Sequence, residues 1–92
     1  MSVYHIYKVL DESNPEDWKE PGIFDIKSYV GIENRFDSVQ EAFFTACKVA
    51  DIIAMNEHAG YTTIGNHITI MKKDASKTLV VHSEEDWNRG LR

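Results

Sequence analysis

Residues 3 to 10, VYHIYKVL, alternate two sets of side chains, with Val3, His5, Tyr7 and Val9 on one side and Tyr4, Ile6, Lys8 and Leu10 on the other. The period of two and the β-branched and aromatic content predict a strand. A second such stretch, IFDIKSYVGI, puts Phe24, Ile26, Ser28, Val30 and Ile32 on one face and Asp25, Lys27, Tyr29 and Glu33 on the other. It reads as a half-buried strand whose apolar side lies under a helix.

That helix is predicted from about Val39 to Ala59. Ser38 with Glu41 makes a capping box, and Gly60 stands where a left-handed C-cap residue is wanted. In helical projection Val39, Ala42, Phe43, Ala46, Cys47, Val49, Ala50, Ile53 and Ala54 share one broad face, wide enough to cover a sheet. Phe44, Ile52 and Met55 fall on the far side, with Lys48 and Asp51 between them. The helix thus carries a second apolar strip pointing away from the sheet.

Beyond Gly60, YTTIGNHITIMKK reads as a strand with a break or bulge at Gly65-Asn66, Ile68 and Ile70 facing the helix and Thr69 and Met71 facing away. KTLVVH is its partner across the turn Asp74-Ala75-Ser76. The elements add up to an α+β fold, a two-layer β-β-α-β-β arrangement with one long helix packed on a mostly antiparallel four-stranded sheet, in a single domain over residues 1 to 92.

Charge narrows the choice of partner. Fifteen acidic against ten basic residues leave a net charge of −5, which opposes attraction to nucleic acid or an anionic membrane and favours a protein with a basic surface. The single Cys47 has no internal disulfide partner, and no signal peptide or apolar run of membrane-spanning length is present. A cytoplasmic setting is the expectation.

The triplet EDW occurs twice, at Glu16-Asp17-Trp18 and at Glu85-Asp86-Trp87. In each copy a capping residue, Asn14 or Ser83, precedes acids in a first helical turn, where the helix dipole favours negative charge, and a Trp follows as an apolar anchor. Local capping explains the repetition. The functional alternative is that two exposed acidic turns, each with a Trp, suit a basic partner.

Chemistry-bearing motifs are sparse. His5, His58, His67 and His82 lack the close spacing of a metal site, so no metal or cofactor is expected. His58 fits the negative end of the helix. Cys47 lies on the apolar helix face, where a thiol is a small hydrophobe with little thiolate character. GYTTIG stands at a helix end, not between a strand and a helix start, so it is no phosphate loop. An enzyme would need His5, His67, His82 and Tyr29 to converge on the open sheet face, and no catalytic residue is assigned.

These readings converge on a non-enzymatic acidic interaction protein. The expected partner-binding residues are Phe44, Lys48, Ile52 and Met55 on the helix strip, Trp18 and Trp87, and the acids Glu84, Glu85 and Asp86. The loop DESNPEDWKEPG, through Trp18, is the internal alternative for covering the strip. In being short, acidic, single-domain and free of catalytic motifs, the chain resembles in type the small inhibitors that viruses, phages included, encode against host-defence or nucleic-acid-processing proteins. The resemblance implies a blocking role; separately, the acidic runs Asp11, Glu12, Glu16, Asp17, Glu20 and Glu84, Glu85, Asp86 suit carboxylates that imitate phosphates. Two alternatives stand beside it: a small homodimeric structural or regulatory protein, and a weak nucleic-acid binder through Lys72, Lys73 and Lys77 at a hairpin tip.

Overall fold

A computed structural model describes residues 2–9, 22–71 and 77–90. Strand β1 (Tyr4–Val9) is followed by a one-turn helix α1 (Lys27–Val30) and the long helix α2 (Val39–Asn56). Strands β2 (Gly60–Ile64), β3 (His67–Met71) and β4 (Lys77–Ser83) come next, and a short helix α3 (Glu84–Asn88) ends the described chain. The strands form one antiparallel sheet in the order β1-β4-β3-β2. One long helix on a four-stranded antiparallel sheet is the fold class the pattern predicts.

The strands do not all come from the predicted places. Residues 23 to 32 form no strand, because the Asp25 carboxylate accepts from the Lys27 N–H at 3.2 Å and starts a turn. Gly31, at φ 75°, then closes α1 with its N–H on the Lys27 carbonyl at 2.9 Å. In place of a ladder, β1 has isolated bridges on this side, Tyr7 with Ile23 and, beyond α1, Tyr4 with Phe36. The missing strand is supplied by the break at Gly65-Asn66. Gly65 has φ 59° and Asn66 a negative φ, the signature of a two-residue type II′ turn, so residues 60 to 71 fold into a hairpin.

Helix α2 begins as its capping predicts, with Ser38 extended and its hydroxyl accepting from the Glu41 N–H at 3.2 Å. Its end is different. His58, at φ 52°, takes the left-handed position, while Ala59 N–H bonds the Ala54 carbonyl at 2.8 Å and His58 N–H bonds that of Met55 at 3.4 Å. Gly60 is instead the first residue of β2. On the sheet side Ala42, Ala46, Ala50 and Ala54 are all buried, one turn apart, and form a ridge small enough to let the helix lie close on the strands. Val49 and Ile53 flank that ridge. Val39, expected in the core, is 41% exposed at the first turn.

The two sheet faces have different covers. Ile6, Ile68, Ile70, Leu79 and Val81 join the buried face of α2, with Ile26 and Phe36 closing the side. On the opposite face Tyr7, Val9 and Val80 pack with Trp87 of α3. The outer edge of β1 is closed by a side chain: Asn34 accepts from the Ile6 N–H at 2.8 Å and donates to the carbonyls of Ile6 at 2.7 Å and Phe24 at 2.8 Å. A half-buried amide thereby takes the place of a strand neighbour along β1.

Candidate interaction surfaces

The outer side of α2 carries the strip read from helical spacing. Phe44 is 63% exposed and Met55 70%, while Ile52 is half-buried. Lys48, one turn after Phe44, holds its ammonium 4.7 Å from the ring centroid, so the strip pairs an aromatic face with a cation. Exposed acids, Glu41 and Asp51, stand on the same helix. Two large apolar side chains thus stand exposed together on one side of a capped helix.

The strip continues across the chain into the loop before α2. Gly31 reverses the chain, and Phe36 is pinned by two backbone bonds with Tyr4, at 2.9 and 3.0 Å. Residues 31 to 36 therefore run beside the first half of α2 and frame an open groove of about 520 Å³. Ile32 and Phe44 form its apolar walls, Phe36 is buried beneath, and Glu33, Arg35 and Glu41 supply the charged rim. Ile32, expected on the helix-facing side of a strand, is instead 47% exposed. Its part in this surface depends on the left-handed Gly31, and only a reading of Gly31 as a helix stop could have found it.

The acidic turn lies elsewhere. In α3 the Ser83 hydroxyl accepts from the Asp86 N–H at 3.1 Å, and Trp87 stacks on Tyr7 with ring centroids 3.9 Å apart and planes 4° from parallel. Only 6% exposed, Trp87 is an internal anchor and not the exposed partner-binding residue expected. Glu84 and Glu85 remain exposed. Asp86 is tied to Arg89 at 2.6 Å, and this hydrogen bond holds its carboxyl below the ordinary aspartate range. Because Trp87 packs on the face opposite α2, the acids and the Phe44 strip belong to different sides of the sheet. Trp18, Lys72 and Lys73 lie outside the described residues; Lys77 places its ammonium 3.8 Å from a Glu57 carboxylate oxygen.

No protein-family model matches the chain, and no curated protein or solved structure does either.

Three histidines share the face that α3 partly covers, where His5 and His82 are direct cross-strand partners and His67 pairs with Val80. His5 is 6% exposed with Nδ1 2.7 Å from the Asn34 carbonyl oxygen, which makes Nδ1 the protonated nitrogen. The Asn66 amide nitrogen donates to His82 Nε2 at 2.9 Å. His67 borders a shallow depression with Ile64, Asn66 and Thr69. Tyr29, the fourth member of the enzyme alternative, sits on α1 against Phe24, which packs with the α2 core. Among the described residues no group of three His, Cys, Asp or Glu side chains comes together in a way that could hold a metal ion. Cys47 is half-buried, and burial pushes its thiol pKa up. No helix among the described residues is long and apolar enough to cross a membrane.

Proposed function

We propose that the protein is a non-enzymatic interaction module that binds and blocks another protein through the outer strip of α2. The observation that carries this reading is the exposure of Phe44 and Met55 on a helix whose opposite face is already fully used by the core. An amphipathic helix offering large side chains at one-turn spacing is a recurring mode of recognition, in which the helix lies in an apolar groove of its partner. Glu41, Asp51 and the net charge of −5 favour a groove with a basic rim, as in proteins that handle nucleic acid. The acids of α3 take no direct part in this contact and act only through long-range attraction.

The experiment is capture of the partner by the intact protein carrying a photo-crosslinker in place of Gln40 or Asp51, beside the Phe44→Ser/Met55→Ser double variant. One crosslinked protein, lost in the double variant while its circular dichroism is unchanged, is the expected result. Capture that survives both serines refutes the strip. Charge reversal at Glu84 and Glu85 should slow association in low salt and leave the crosslinked positions the same.

A further inference from the structure

The two edges of the sheet are treated differently. Asn34 and the bridges to Ile23 and Phe36 close β1, whereas β2 is an edge with nothing laid along it among the described residues. Backbone bonding along β2 follows from the hairpin. Val81 N–H bonds the Asn66 carbonyl at 3.1 Å, so even-numbered residues of β3 bond toward β4 and odd-numbered ones toward β2. Ile64, Thr62 and Gly60 therefore use their N–H and C=O groups on His67, Thr69 and Met71. Tyr61 and Thr63 point theirs outward.

Natural edge strands are shielded by Lys, Pro, inward charges or bulges. The sequence GYTTI has none of these. It is also self-complementary. When two copies run antiparallel about a two-fold axis at Thr62, Tyr61 of each lies opposite Thr63 of the other and the pair exchanges both its backbone bonds. The same register sets Ile64 opposite the partner copy's Gly60, which has no side chain to meet it. Ile64 is 80% exposed, and beside Gly60 lies Met71, 50% exposed, whose Cε is 3.5 Å from where a Gly60 Cβ would stand. Ile64 of one copy is thus laid over Gly60 and against Met71 of the other, and two exposed apolar side chains per copy are covered. No charge lies in the strand, so an acidic protein meets itself here without like charges in contact.

We infer that β2 pairs with β2 of a second copy, in the register centred on Thr62, to make one continuous sheet with both α2 helices on the same face. This dimer is independent of the strip on α2.

Mass in solution, measured by light scattering and sedimentation from low micromolar to about 1 mM, near the weak end of specific affinities, tests it. Parent protein is expected to approach a doubled mass. Thr63→Pro removes an outward N–H at a position where an edge strand tolerates proline, and Ile64→Lys puts a charge over Gly60; both should stay monomeric with unchanged circular dichroism. Phe44→Ser/Met55→Ser should dimerise as the parent does. In a Cys47→Ser background, Thr62→Cys should form a disulfide between copies on mild oxidation, because position 62 faces itself across the axis, while Thr63→Cys should not. A parent that is monomeric throughout the range overturns the inference. So does a dimer that survives both Thr63→Pro and Ile64→Lys, or one broken by the serine pair, since either places the contact elsewhere. Crosslinking at position 63 in preference to 62 refutes the register.

Discussion

Replacing Asn34 by Ala should cost about 3 kcal/mol of stability although the side chain is small and only half-buried. The change deletes an acceptor for the Ile6 N–H and donors to the Ile6 and Phe24 carbonyls. Ile6 is fully buried, so its amide is left without a partner, at a penalty of about 1–3 kcal/mol. Its carbonyl keeps the Phe24 N–H at 2.9 Å and the Asn34 amide is only half-buried, so the two lost donor bonds contribute the low end of a net bond each, about 0.5 kcal/mol. A chain of this length holds about 5–14 kcal/mol in total, so the loss is a large share. With a urea m-value of about 1.3 kcal/mol/M, the midpoint should fall by about 2 M. Urea titration followed by circular dichroism and Trp fluorescence measures it. Asn34→Asp is the sharper probe. It keeps the acceptor for Ile6 N–H but turns a carboxylate on two carbonyl oxygens, so at neutral pH it should be at least as damaging. The new acid is disfavoured when charged and its folded pKa is raised, so its deficit against the parent should shrink as pH falls and the group protonates. A midpoint shift under about 0.5 M for Asn34→Ala would show that water replaces the amide and that β1 is not closed by it.

Trp87→Ala removes a 6%-exposed ring stacked on Tyr7 and should destabilise by about 3–5 kcal/mol, lowering the thermal midpoint by at least about 12 °C; a drop below about 4 °C would mean the ring is not part of the core. Asp86 is stabilised in its charged form by Arg89, so its contribution is present above the unfolded aspartate pKa and is lost as pH falls through its lower folded value. Asp86→Asn should therefore flatten the acid limb of stability against pH, and an unchanged limb counts against the pair.

The start and the two faces of helix α2 are readable because their signals are local: Ser38 and Glu41 at the start, the alanine row, and the far strip of Phe44, Ile52 and Met55. The same local logic explains Ser83, the α3 acids and Trp87 as a capped turn with an anchor. The stretch from Ile23 to Ile32 carries the pattern of a strand without forming one, because period-two alternation over ten residues also fits a turn of helix between extended ends. Asp25 and Gly31, the two residues that fold it, carry no apolar signal. Gly65-Asn66 reads from sequence as a break or bulge within one strand and is a hairpin turn between two, and His58 takes the left-handed cap that residue type alone assigns to Gly60. Neither the Ile32 groove nor the open edge of β2 could be read from spacing, since one depends on how a loop lies and the other on strand order.

That order also governs how the molecule is made. The ladder partner of β1 is β4, with Tyr4 facing Ser83, so the first strand of the described chain is completed by the last one described. The β2-β3 hairpin and α2 can gather by local contacts, but the sheet is closed only after almost the whole described chain exists. Such long-range pairing slows folding. Until then Ile6 and Val9 have no strand beside them, and Tyr7 awaits Trp87. A growing chain on the ribosome therefore carries an unfinished apolar strand until β4 and α3 have been synthesised.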